Sequence, residues 1–139
     1  MGFSLVAAFG VISVSILIAV EIMMGGLLPV VTNINESYDK MVKRRVERAQ
    51  TMITITGVDT TINNSNWDHN ISVENTGSIS LKTSDFDIIM NGTRQVYSCA
   101  DPYIYPEDET YFYVYNYSSQ TNIKLKIVTE TGISDYYEY

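Results

Sequence analysis

Cysteine and histidine are almost missing: the 139-residue chain has one of each, Cys99 and His69. A lone cysteine excludes an intrachain disulfide and any cysteine-built zinc site, so a folded domain must rest on its own core. A lone histidine leaves a Ser–His–Asp arrangement dependent on His69, whose neighbours Asp68 and Asn70 are turn-forming residues. The eight glycines are scattered, and no glycine loop of the phosphate-cradling kind is present. Glu107, Asp108 and Glu109 lack the interleaved ligands of a calcium loop and read as a solvated acidic loop. Basic residues are scarce beyond residue 53, where four face twelve acidic ones, a net of −8. Such a domain repels nucleic acid. The expectation is a non-enzymatic protein with no catalytic, cofactor-binding or metal-binding residues and no nucleic-acid partner.

The N-terminus is apolar. Residues 2–20 carry no charge, and their only polar side chains are Ser4, Ser13 and Ser15. Serine hydroxyls can bond back to the preceding helical turn, which lipid tolerates. Nineteen uncharged residues approach the ~20 that span a bilayer. After Glu21 the apolar character resumes to Val31. A cleaved signal peptide fits poorly: no basic n-region precedes the run, the run exceeds the ~7–15 residues of an h-region, and no A-x-A site follows. Residues 1–31 are therefore expected to be a retained transmembrane anchor. At helical spacing Glu21 shares a face with Ala7, Gly10 and Gly25. Ala7, Gly10, Glu21 and Gly25 are candidate contacts with a partner helix inside the membrane. The alternative is that Glu21 ends the span among lipid headgroups.

Gly25, Gly26 and Pro29 predict a loosened or kinked helix. Beyond them Ile34, Tyr38, Met41, Val42, Ala49 and Ile53 recur at helical spacing between charges, which predicts amphipathic helix over about 35–50. Residues 32–50 read as a charged stalk.

From residue 51 the hydrophobic period becomes two. Ile53 and Ile55, Ile71 and Val73, Ile79 and Leu81, Phe86 with Ile88 and Met90, and Ile123 with Leu125 and Ile127 each alternate with polar residues. Asn75-Thr76-Gly77 and Asn91-Gly92 are turn signals, the second the strongest short hairpin signal available. Val96 is placed in the strand returning from that hairpin. Residues 100–109 are expected to form a loop, and Thr131-Gly132 to turn the chain into a short tail. Residues 51–139 thus predict an antiparallel β-sandwich, immunoglobulin-like in class, with about seven strands.

Ten of the eleven tyrosines lie between Tyr97 and Tyr139. Tyr111, Tyr113 and Tyr115 fall on one face of a strand, with Phe112 and Val114 on the other. Tyr103 and Tyr105 sit between Pro102 and Pro106. Tyrosine offers contact area at low entropic cost, so these five are candidate partner-binding residues, although the row would also serve simply to cover a sheet. Asn35, Asn63, Asn70, Asn91 and Asn116 head N-x-S/T sequons. Asn91 is set aside because of its tight turn, leaving Asn35, Asn63, Asn70 and Asn116 as candidate N-glycosylation sites on an extracytoplasmic domain. The five basic residues after the anchor point the opposite way by the positive-inside rule, so charge alone leaves the topology open.

The start Met1-Gly2-Phe3-Ser4 leading directly into the span resembles the FlaF/FlaG (ArlF/ArlG) family of archaellum, or archaeal flagellum, stator and accessory proteins. Residues 71–81 (ISVENTGSISL), then Asp85-Phe86-Asp87-Ile88 and Asn91-Gly92, resemble the family's strand–NTG–strand–NG pattern, and residues 128–133 (VTETGI) its closing strand and turn. The resemblance implies a single-span protein of the cytoplasmic membrane whose β-sandwich stands on the extracytoplasmic (pseudoperiplasmic) side. There it binds the surface-layer protein and helps form the stator. It also implies a related FlaG-type stator subunit as a partner, with a homodimer and lipid contact through the anchor as further expectations. A FlaG-type stator filament subunit is one alternative. A pilin- or archaellin-like filament subunit is another, but no basic residue precedes Phe3, and Glu21 stands too late for that processing pattern.

Overall fold

A computed structural model describes residues 2–119 and 121–139; Met1, the first residue of the N-terminal motif, lies outside them. The chain divides into two compact units, Met1–Lys43 and Arg44–Tyr139.

The first unit is helical. Helix α1 covers Gly2–Ile22 and is about 32 Å long at ~1.5 Å per residue, close to the ~30 Å of a bilayer's hydrocarbon core. From Ser4 onward every α1 side chain is exposed, and the helix is long and apolar enough to cross a membrane. The hydroxyls of Ser13 and Ser15 donate to the carbonyls of Phe9 and Val11 at 2.9 and 2.8 Å, so both are satisfied within the helix. A π-helical turn, Met23–Leu27, follows, and Leu28 donates its N–H to the Met23 carbonyl. The cause lies two residues on. Pro29 has no N–H for the Gly25 carbonyl and its ring crowds that turn, so the helix widens where Gly25 and Gly26 permit. Helix α2 then runs Leu28–Gln50 with no buried side chain.

The second unit contains roughly the last two turns of α2 and an antiparallel β-sandwich. Its strands are β1 (Ile53–Asn63), β2 (Asn66–Asn75), β3 (Leu81–Lys82), β4 (Asp87–Met90), β5 (Thr93–Gln95), β6 (Ser98–Cys99), β7 (Tyr103–Ile104), β8 (Glu109–Tyr117), β9 (Lys124–Val128) and β10 (Ser134–Glu138). They form one sheet ordered β1-β2-β8-β6, a second ordered β10-β9-β4-β5, and a small β3-β7 pair. Among the described residues seven strands have three or more residues, while β3, β6 and β7 have two each.

Period-two alternation sends Ile53, Ile55, Ile71, Val73, Phe112 and Val114 inward from the first sheet, and Ile88, Met90, Leu125 and Ile127 inward from the second. Each such side chain stabilises the fold by ~1.5–3 kcal/mol through burial. Phe86 and Phe112 pack at 5.2 Å between ring centroids, and Tyr97 closes edge-on against Phe112. The Tyr97 hydroxyl reaches the Thr83 and Phe86 carbonyl oxygens at 2.7 and 2.9 Å.

Three segments depart from the sequence reading. Val96 is not in a returning strand; it lies between β5 and β6 and is 90 % exposed, because β5 stops at Gln95. Residues 100–109 are not a plain loop, since β7 pairs with β3 and buries Ile104. The segment after Gly132 is no tail but β10, paired with β9 from Ser134 to Glu138. The Asn91-Gly92 hairpin does form, with both residues at positive φ as a two-residue turn demands.

Asn75 ties these parts together. It is fully buried, and its Nδ2 donates to the carbonyls of Ile79 and Ile104 while its Oδ1 accepts the Gly77 N–H at 3.1 Å. Its backbone exchanges hydrogen bonds with Asp108 and Glu107. Gly77 must lack a side chain: a Cβ would overlap the Gln50 carbonyl oxygen and lie 2.6 Å from the Met52 nitrogen. Replacing Asn75 by Ala strands the buried Ile104 carbonyl and the part-buried Ile79 carbonyl and Gly77 N–H, and is expected to cost about 2–4 kcal/mol. Thr54→Ala, on the exposed face, should cost under about 0.5 kcal/mol. Urea denaturation of both variants checks this; equal midpoints would refute the role given to Asn75.

Candidate functional site

His69 is only 1 % exposed. Its Nδ1 lies 2.9 Å from the Tyr139 hydroxyl and its Nε2 3.1 Å from the Ser119 carbonyl oxygen. Tyr117 and Tyr139 pack edge-on against the ring. With the Ser119 carbonyl as acceptor, Nε2 carries the proton and Nδ1 accepts from Tyr139. Burial holds the His69 pKa below its ordinary value, against the Ser119 hydrogen bond and the nearby Asp68 carboxylate, which raise it. This is a core histidine with both nitrogens committed to hydrogen bonds inside the domain. Among the described residues no group of three or more His, Cys, Asp or Glu side chains is placed to hold a metal ion.

The surface carries more. On β8, Phe112 and Val114 fill the core, which forces Tyr111, Tyr113 and Tyr115 outward at 42, 36 and 56 % exposure. The rings of Tyr113 and Tyr115 are nearly parallel, 14° apart, with centroids at 6.5 Å. In register beside them run Ser72 opposite Tyr111, Asn70 opposite Tyr113, and Glu74 opposite Glu109. Asp59 lies one strand further, opposite Asn70, and Ser98 flanks Tyr113 on the other side. Glu109 accepts hydroxyl hydrogen bonds from Thr56 and from Tyr111. The Glu109 carboxylate also raises the Tyr111 pKa, chiefly by its charge, with smaller contributions from desolvation and the shared hydrogen bond.

Tyr103 and Tyr105 are exposed too, at 47 and 58 %, but on and just after β7, and among the described residues they make no ring contact with the β8 row. Their segment is nonetheless well held. Thr83 donates to the Asp101 carbonyl, Thr83 N–H donates to the Pro102 carbonyl, and Thr110 donates to the Asp101 carboxylate at 2.8 Å.

Asn35 lies on α2. Asn63 donates its amide to Asp68, which also accepts the Asn116 N–H at 2.8 Å, and Asn116 adopts a positive φ of 58°. Asn70 keeps a buried Oδ1 with no hydrogen-bond partner among the described residues. Ala7, Gly10 and Glu21 lie on α1, Glu21 in its last turn. Gly25 lies in the π turn, where wider winding shifts it off the face that regular α spacing assigns.

Sequence reasoning missed two features. One is the surface depression of about 420 Å³ beside the β5 edge, lined by Ser84, Phe86, Arg94, Gln95, Val96 and Tyr97. Its only sequence signal is an apolar Val96 after the hairpin. The other is Asp135, whose Oδ2 takes the Ile55 N–H at 2.8 Å and so closes an edge of the first sheet from the second.

No protein-family model and no curated protein matches the chain. Among solved structures, the archaellum periplasmic stator protein FlaG from Sulfolobus acidocaldarius is similar at 16 % identity and a TM-score of 0.55, covering 64 % of this chain and 99 % of that one. The archaellum periplasmic stator protein complex FlaF and FlaG from the same organism is similar at 16 % identity and a TM-score of 0.50, covering 63 % of this chain and 87 % of that one. At this identity the likeness is one of fold: an apolar N-terminal helix aside, this sandwich is built as those stator proteins are.

The His69 arrangement makes a pH prediction. Well above pH 6.5, the ordinary histidine value, the ring is neutral in both folded and unfolded chains. As pH falls below that value the unfolded chain takes up a proton that the core resists, so this contribution lowers stability until the depressed folded pKa is passed. His69→Gln is therefore expected to lose less stability than the parent between pH 7 and pH 5, in urea titrations at each pH. Parallel losses in the two proteins would remove the assignment.

Proposed function

We propose that this chain is a non-enzymatic stator component of the archaellum, of the FlaF/FlaG type. The observation that carries the reading is the shared β-sandwich, covering 99 % of the FlaG structure, on a chain that begins with an apolar helix long enough to cross a bilayer. The N-terminal motif and the NTG–NG strand pattern agree with it.

In this reading residues 1–31 anchor the protein in the cytoplasmic membrane, 32–50 form the stalk, and 51–139 carry the sandwich on the extracytoplasmic side. A stator must resist torque, so one end is fixed in lipid and the other grips a rigid lattice. The surface layer is that lattice, and the tyrosines at 103, 105, 111, 113 and 115 contribute to the grip. A related FlaG-type subunit is the partner that the FlaF–FlaG complex suggests by analogy.

The test is co-sedimentation of the full chain, in detergent micelles, with isolated surface-layer sheets. A Tyr111/Tyr113/Tyr115→Ala variant with an unchanged melting curve should lose at least about tenfold in bound fraction, the effect of one or two interface hot spots. Undiminished binding by that folded variant, or a β domain resistant to added protease on intact spheroplasts, would defeat the reading.

A further inference from the structure

Charge is divided between the two sheets. The strands β1, β2, β8 and β6 contain no lysine or arginine, yet carry Asp59, Asp68, Glu74 and Glu109. The basic residues of the sandwich, Lys82, Arg94, Lys124 and Lys126, stand on β3 and on the second sheet. Asp68 is spent internally on Asn63 and Asn116. Asp59, Glu74 and Glu109 remain on the outer face with the tyrosine row, and among the described residues none of them forms an ion pair.

Two features make this face costly to leave empty. Glu74 and Glu109 are directly opposed across β2 and β8, a like-charge pair that destabilises a sheet. Asn70, between Asp59 and Tyr113 in register, has a buried carbonyl oxygen without a donor. Glu109 is met only by the neutral Thr56 and Tyr111 hydroxyls, so the two features share acceptor oxygens or negative charge with no ion-pair partner among the described residues. The exposed, near-parallel rings of Tyr113 and Tyr115 add faces that attract a cation.

We propose that the outer face of the β1-β2-β8-β6 sheet docks a cationic protein surface that presents more than one arginine, one seated against the Tyr113 and Tyr115 rings with its guanidinium toward Asp59, and another at the Glu74–Glu109 pair, ~13 Å along the strands at ~3.3 Å per residue. Arginine suits the face better than lysine, since its planar group stacks on aromatic rings and donates in a fork to carboxylates. An anionic membrane surface is repelled by the same charges. This inference rests on the tyrosine row being the gripping surface, and specifies the chemistry of what is gripped.

The experiment uses the full chain in nanodiscs of zwitterionic lipid and three fluorescent twelve-residue peptides, alternating Arg-Ser, Lys-Ser or Glu-Ser, read by anisotropy. The arginine peptide should bind, the lysine peptide several-fold more weakly, and the glutamate peptide not at all. Affinity should fall as salt rises from 50 to 200 mM. Asp59→Asn with Glu74→Gln, both conservative surface changes, should weaken arginine-peptide binding about tenfold, a loss of about 1.4 kcal/mol. Tyr113→Ala in the same background should deepen the loss. A control triple, Glu107→Gln, Asp108→Asn and Glu130→Gln, removes more charge elsewhere and should change binding by less than about twofold. Equal weakening by the control, equal binding of the arginine and glutamate peptides, or displacement of the arginine peptide by neutral oligosaccharides would each overturn the proposal. The stator reading fails separately. Loss of surface-layer co-sedimentation by the parent protein, with peptide binding intact, refutes only that reading, whereas a surface-layer grip retained by the Asp59/Glu74/Tyr113 variant refutes only this one.

Discussion

The second unit depends on one buried amide. Asn75 holds the Asn75–Gly77 turn through its Oδ1, and the turn beyond it and the β3–β7 pair through its Nδ2, while its backbone holds the acidic 107–108 turn. The amide itself is fully buried, and the Ile104 carbonyl it meets is buried with it, so an unmet bond there costs far more than a made one contributes. Gly77, forced open by the Asn75 bond, lets the Ser78 N–H reach the Gln50 carbonyl at 2.9 Å, and Thr51 donates to Glu47 at the same helix end. The last turn of α2, the edge of the small sheet and the base of the tyrosine-bearing segment are therefore set by one side chain.

The same sandwich presents two unlike outer faces. On the second sheet the charges are mixed and partly met: Arg94 pairs with Asp87, and Lys126 lies 4.9 Å over the Tyr136 ring. On the first sheet the charge has one sign, and the tyrosines stand out because Phe112 and Val114 claim the core. A strand cannot turn both members of an i, i+1 pair inward, so a well-filled core fixes the row of tyrosines outside it. A stability-minded sequence would place a lysine beside Glu74 and Glu109; its absence is a feature of the face, and the core does not require it.

The helical unit shows how one residue sets local geometry. Pro29 withholds a donor, the Gly25–Gly26 pair yields, and a π turn takes up the difference at the foot of the apolar segment. Glu21 lies in the last turn of α1, just before that turn. The carboxylate thus stands where the regular apolar helix ends, whichever surroundings it meets.

What the chain determines by itself is local. The apolar run, the switch from helical to two-residue period near residue 51, the Asn-Gly hairpin and the outward tyrosine row are all carried by neighbouring residues, because helix, strand and turn are set by contiguous side chains and by φ. The β10 strand escaped notice because Ser134–Glu138 is polar and tyrosine-rich, with no inward run to mark it. The β7 strand escaped because two residues show no period. Only the tertiary structure decided which strands adjoin, that the carboxylates gather on one sheet with no ion-pair partner among the described residues, and that His69 is buried. Those outcomes depend on contacts between residues far apart in the chain, such as Ile55 with Asp135 across 80 positions, and no local pattern encodes which distant segment will supply the partner.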